Sequence, residues 1–164
     1  MKKYVIILSK TFPATHARAG EPTNFTASLN KAIMCERCRQ KLKGMCVGEC
    51  IIGQKKLHTI RGNYDLWEKR FKEIEEGNAC LSVREWAGVP YRSKQVEIVR
   101  LTAKDGIGLQ KIYINGGDFI VNGKHVSNLL LPENDGLLLV DWTDWFKAVD
   151  NTSMAIIHFT KFRY

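Results

Sequence analysis

At 164 residues with 45% apolar composition, the chain suits one domain built around a single core. No uninterrupted apolar run approaches the length of a membrane span, so a membrane role is not expected. The net charge of +8 is uneven: residues 1–62 hold 12 Lys and Arg against 3 Asp and Glu, while the remainder carries 13 against 14. A basic half of this kind is the electrostatic footprint of a protein that meets nucleic acid or a phosphorylated small molecule, although a merely solvated basic face fits the same count.

In chain order, Tyr4 to Phe12 reads as a buried strand rich in β-branched and aromatic residues that ends before Pro13. The opening Met1-Lys2-Lys3 is basic, but the apolar run behind it is shorter than the ~7–15 residues of a signal peptide, so a cytoplasmic, reducing compartment is expected. The Pro13 to Pro22 loop carries His16 and Arg18. Thr23 can cap a helix running to about Met34, with Phe25, Leu29 and Ile33 on its buried face.

Four of the five cysteines follow: Cys35, Cys38, Cys46 and Cys50, spaced C-x2-C-x7-C-x3-C. That spacing suits tetrahedral thiolate ligation of a structural zinc, with Arg37, Arg39, Lys41 and Lys43 offsetting the thiolate charge; incidental thiols are the alternative. Beyond the central stretch, Asp65 and Glu68 form the pattern of a capping box, and Trp67, Phe71 and Ile74 give a helix its apolar stripe up to Gly77. Strands are expected at Ala79 to Trp86, Gln95 to Leu101, Leu109 to Ile114, Phe119 to Val121 and Met154 to Phe162. Asn115-Gly116-Gly117-Asp118 and Asn122-Gly123 are turn signals. After Pro132-Glu133-Asn134-Asp135-Gly136, Asp141 can cap a short helix presenting Trp142, Trp145 and Phe146, a cluster that fits a core better than a base-stacking platform. About six or seven short strands and three helices predict an α+β fold, a small mixed β-barrel with helices at its ends.

The stretch Lys55 to Tyr64 concentrates the chemistry. If Leu57 to Arg61 is extended, Thr59 and Arg61 share one face and Ile60 takes the other, so a hydroxyl stands beside a guanidinium. Lys56 can swing its amine to the same spot, where an anion or a carbonyl oxygen would meet two cations and a hydroxyl. A solvated basic strand explains the same residues without any site.

Lys56, Thr59 and Arg61 also sit at the K-x-x-T-x-R spacing of ASCH domains, small β-barrel proteins of the PUA-like superfamily, and the chain resembles that family. Further likeness lies in the Lys10-Thr11-Phe12-Pro13 turn, in Leu57 to Tyr64 followed by Trp67, in Trp86 to Gln95, in Asn134-Asp135-Gly136-Leu137 and in the closing Ile157 to Tyr164, all similar to ASCH-like proteins of bacteria and their phages. The glycine usually found two residues before the lysine is here Gln54, with Gly53 one residue earlier, and the cysteine-bearing insert lies outside the family pattern.

The resemblance implies a cleft that binds RNA, a nucleotide or a modified nucleoside. Some members resemble amidohydrolases that remove an acyl group from a modified cytidine and need no cofactor. Carried over, Thr59 is the nucleophile, Lys56 its base and Glu133 the acid, with Asp135 close behind it. Arg61, His58, Lys55, Asp135 and Arg18 make up the expected ligand-binding set. A threonine hydroxyl becomes an effective nucleophile only when a base takes its proton, and lysine serves as that base only if burial or nearby cations depress its pKa. A binding module that breaks no bond, and a protein-interaction role in which the motif merely closes the barrel, stand beside that reading.

Overall fold

Segments dense in Val, Ile, Leu and aromatic residues become strands here, and those with apolar residues three and four apart become helices. A computed structural model of the chain describes residues 1–41, 53–115, 117–149 and 152–164. The fold is α+β, with eight strands in two sheets and four α-helices among these residues.

The first sheet contains β1 (Lys2–Ile7), β3 (Ala79–Trp86) and β4 (Gln95–Leu101) in the order β1-β3-β4. β1 runs parallel to β3, which pairs antiparallel with β4 through a register shift at Val83/Arg84. The second sheet has five strands in the order β2-β8-β5-β6-β7: β2 is His58–Arg61, β5 Gly108–Asn115, β6 Asp118–Val121, β7 Lys124–Val126 and β8 Thr152–His158. All of its pairings are antiparallel.

The helices are α1 (Phe25–Lys41), α2 (Tyr64–Glu75), α3 (Leu130–Asn134) and α4 (Leu139–Trp145). Residues from both sheets and from α1 and α2 enter one apolar core, including Leu8, Leu29, Phe71, Leu81, Ile112 and Ile156. No helix among the described residues is long and apolar enough to cross a membrane.

Several elements differ in extent from the sequence expectation, for local reasons. β1 stops at Ile7 because Ser9 Oγ donates to Thr11 O at 2.6 Å and turns the chain, leaving only a single bridge between Thr11 and Pro22. α2 is capped by Asn63, whose side chain accepts from Leu66 N at 3.1 Å; Asp65 sits in the first turn and builds no box with Glu68. Asn63 has φ 59°, a left-handed conformation that asparagine tolerates better than most residues. The segment before Asp141 is itself helical, so one expected helix becomes two, and Asp141 lies within the first turn of α4 rather than at its cap. β7 was not expected after the Asn122-Gly123 turn, and β8 ends at His158 rather than at Phe162.

Candidate functional site

Lys56 is a lysine with almost no contact with water, 1% exposed, and the backbone explains how it came to be buried. Its N–H donates to Ser28 O of α1 at 3.1 Å, and the next residue, Leu57, donates to Asn134 O at 2.7 Å and accepts from Phe159 N at 2.8 Å. Three distant segments therefore close over the residue just before β2. The ammonium meets Asp135 twice, at 2.6 Å to Oδ1 and 2.5 Å to the carbonyl oxygen, and lies 3.9 Å from the centre of the Phe25 ring. A carboxylate, a carbonyl and an aromatic face together replace the water it has lost.

Asp135 is positioned by the end of α3. Gly136 N donates to Glu133 O and Leu137 N to Pro132 O, both at 3.0 Å, with Gly136 at φ +80°. This is a Schellman ending, with glycine in the left-handed position and Asp135 as the last residue before it. The Cβ that any other residue would add at Gly136 would lie 3.2 Å from Lys56 Cβ, so the glycine also makes room for the close approach.

Thr59 and Arg61 share one face of β2, opposite Ile60, and both line a cavity of about 170 Å³ with Lys56 and Asp135. Ile7, Leu8, Ser9, Phe25, Leu137, Trp145 and Phe146 complete its walls. Arg61 donates to Ile60 O at 3.0 Å and to Ile7 O at 2.8 Å. The guanidinium thereby ties β2 of one sheet to β1 of the other. Among the described residues, the Thr59 side chain has no hydrogen-bond partner.

Burial governs the electrostatics. It pushes the Lys56 amine below its ordinary range and the Asp135 carboxyl above its own, while their mutual attraction opposes both shifts. Arg61 adds to the depression of Lys56 and works against the rise at Asp135. Arg61 itself is lowered by burial, with Asp135 partly offsetting the shift.

The remaining sequence candidates lie elsewhere. Glu133 is exposed and lines a different, open pocket of about 780 Å³ with Lys55, Asn134 and Leu138; the carboxylate in the Lys56 cavity is Asp135. The two acids are two residues apart in right-handed helical backbone, about 200° of rotation, so they point to opposite sides of α3. Lys55 donates to Cys35 Sγ at 3.5 Å and lines a further pocket with Leu57 and Phe162. Arg18 is held by Glu21 and Asp141, each at 2.7 Å, over the Phe12 ring. His58 is fully buried behind the cavity: Nε2 meets Tyr164 Oη at 2.7 Å, and Nδ1 lies 3.9 Å from Asp135 Oδ1 without a hydrogen bond.

Of the four cysteines read as ligands, Cys35 is buried with a free thiol, while Cys46, Cys50 and the side chain of Cys38 lie outside the described residues. Among those residues no group of three or more His, Cys, Asp or Glu is placed to hold a metal. The aromatic walls Phe25, Trp145 and Phe146 carried a sequence signal, their helical spacing, but it pointed to core packing rather than to a cavity. Comparison of the chain with protein-family models, with curated proteins and with solved structures gives no match in any of the three.

Proposed function

We propose that the chain binds a nucleic-acid-derived ligand, an RNA base, a nucleotide or a modified nucleoside, with the heterocycle seated in the cavity formed by Lys56, Thr59, Arg61 and Asp135. One observation carries the reading: two cations, a carboxylate and a hydroxyl converge on a cavity of about 170 Å³ that is otherwise walled by aromatic and aliphatic side chains. That volume is below the roughly 300–1,000 Å³ of sites that enclose a whole drug-sized ligand, and it suits one planar ring with its substituents outside. Aromatic walls take the faces of such a ring, while the polar groups can meet its edge. The basic half of the chain supplies attraction for any phosphate that follows. In this reading the two sheets and their shared core are the halves of the PUA-like, ASCH-type barrel that the sequence resembles.

The test is calorimetric titration with nucleosides, nucleotides and short RNAs at two salt concentrations. Binding by phosphorylated ligands should fall with salt while that of neutral nucleosides does not, and Arg61→Gln or Thr59→Val should weaken both by about tenfold. Failure of every nucleoside, nucleotide and RNA to bind would end the reading.

A second reading, hydrolysis of an N-acylated nucleoside, is favoured by a specific observation: the Thr59 hydroxyl lines the same cavity as an amine whose burial depresses its pKa. In that chemistry Thr59 Oγ1 attacks the acyl carbon as Lys56 takes its proton. The proton then passes to the departing amine, and water hydrolyses the acyl-threonine to free acid. Asp135 replaces Glu133 as the acid in this scheme, because it is the carboxylate that reaches Lys56. Thr59→Ala should abolish turnover of an acylated cytidine while leaving its binding measurable; wild-type protein inert across an acylated-nucleoside panel would exclude hydrolysis and leave binding.

A further inference from the structure

The connection between β3 and β4, residues 87–94, presents aromatic surface instead of packing it. Tyr91 is 89% exposed, and its ring centroid lies 5.3 Å from that of the half-buried Trp86, the planes inclined at 50°. The Tyr91 backbone has φ 64°, a conformation that strains a bulky side chain and that glycine adopts freely. The turn itself does not need a ring. Arg92 N donates to Val89 O at 3.2 Å, and Ser93 Oγ accepts from Gly88 N at 3.0 Å and donates to Val89 O at 2.9 Å.

Two cations accompany the ring. Arg92 and Lys94 are exposed, and neither forms a side-chain ion pair with a described residue. Other cations nearby are already engaged: Arg84 and Arg100 with Glu97, and Lys10 with Glu85. The link from the arm to the cavity runs through Glu85, two residues before the arm. Glu85 and Lys10 line a shallow pocket of about 440 Å³ together with Phe25, and Phe25 is also a wall of the Lys56 cavity. Glu85 does not leave a bare negative charge on this path, since Thr26 Oγ1 donates to it at 2.6 Å and Lys10 stands 3.5 Å away.

We infer that this arm binds single-stranded polynucleotide leaving the cavity, with Tyr91 and Trp86 stacking bases and with Arg92 and Lys94 neutralising phosphates. Exposed rings interleaved with unpaired cations are the recognition chemistry of single strands, because every base has a stacking face and every linkage a charge. An acidic peptide would use the cations but leave the rings without a role. The inference deepens the reading above and rests on it: the natural ligand is an oligonucleotide strand and not a free nucleoside.

The experiment compares a mixed-sequence single-stranded RNA of about eight nucleotides, within the site size of single-strand binders, with the corresponding mononucleotides. Wild-type protein should bind the oligomer at least about tenfold tighter. Tyr91→Gly should lose about tenfold of oligomer affinity, keep its mononucleotide affinity and melt no lower than wild type, because glycine removes the ring and relieves the backbone together. Arg92→Gln with Lys94→Gln should reduce the salt slope for the oligomer by about 1.4, two single-strand phosphate contacts at about 0.7 each. Equal affinity for oligomer and mononucleotide, or an oligomer affinity untouched by Tyr91→Gly, overturns the inference while leaving the cavity reading intact. Oligomer binding that depends on Tyr91 without any mononucleotide binding sinks the cavity reading instead. Competition by polyglutamate as strong as by RNA replaces the nucleic acid with an acidic protein and overturns the inference.

Discussion

Asp135→Ala is expected to cost about 3–5 kcal/mol of folding stability at neutral pH, since it leaves a buried lysine without its counter-charge. The magnitude follows from the burial of Lys56, whose ammonium is met, among the described residues, by the Asp135 carboxylate, one carbonyl oxygen and the Phe25 ring. Removing the carboxylate keeps the desolvation penalty and discards most of its compensation. The double substitution Lys56→Met with Asp135→Leu should behave differently. It removes both charges together, fills the same volume with apolar atoms and should return to within about 1–2 kcal/mol of wild type. Urea denaturation of the two variants checks this. A single-substitution loss below about 1 kcal/mol would mean that the pair is solvated or already neutral, and the electrostatic account of the cavity would have to go. A pair whose double replacement is nearly neutral to stability but removes ligand binding is one kept for its chemistry.

Acid should destabilise the protein steeply below about pH 6.5, the ordinary histidine pKa, through two residues outside the cavity, His58 and His158. Both are fully buried; neither nitrogen of His158 has a hydrogen-bond partner among the described residues, nor has Nδ1 of His58. Burial holds His58 well below its ordinary pKa, with Lys56 adding repulsion, and pushes His158 down to about 2, with His58 and Arg163 as smaller contributors. The unfolded chain takes up these protons near the ordinary pKa and the folded chain does not. Stability is therefore full above that pH and falls as pH drops, by about 1.4 kcal/mol per pH unit for each histidine. Asp135, raised by its own burial, binds its proton more readily in the folded chain than in the unfolded one and so acts in the opposite sense as pH falls; the histidine contribution is therefore read from the difference between wild type and a histidine variant. His158→Leu should roughly halve the slope and cost nothing at pH 7, because it replaces two unsatisfied nitrogens beside Phe162 and Tyr164 with an apolar side chain. Melting temperatures of both proteins between about pH 5 and 7.5 decide the matter; a flat wild-type profile would refute the role given to the histidines.

The site was legible in the sequence where its signals were local. Thr59 and Arg61 on one face of a short strand follow from the period of two, and Leu57 to Arg61 announced that strand through its β-branched residues. The choice between Glu133 and Asp135 was not local. It depends on a helix of five residues that contains a proline, too short for periodicity to show, whose rotation over two residues points one acid toward Lys56 and leaves the other outside. Arg18 was within reach of the cavity in sequence terms, yet Asp141, 123 residues away, holds it. The burial of Lys56 was equally hidden, because it arises from hydrogen bonds to Ser28, Asn134 and Phe159 that only the assembled fold brings together. The parallel pairing of β1 with β3 has no signature in either strand alone. By contrast, Asn122-Gly123 marked the β6–β7 hairpin clearly, even though the three-residue strand beyond it was missed.

Among the described strands, the one that bears Thr59 and Arg61 lies at the edge of its sheet with a single neighbour, β8, the last of them in chain order. A nascent polypeptide on the ribosome thus carries the motif residues long before anything exists to hold them in place. Contacts so distant in sequence close slowly, and a half-made sheet with an open edge is prone to aggregation while it waits. The cavity of Lys56, Thr59, Arg61 and Asp135 is consequently one of the last features to mature, and protein truncated ahead of β8 should retain the motif without the cavity.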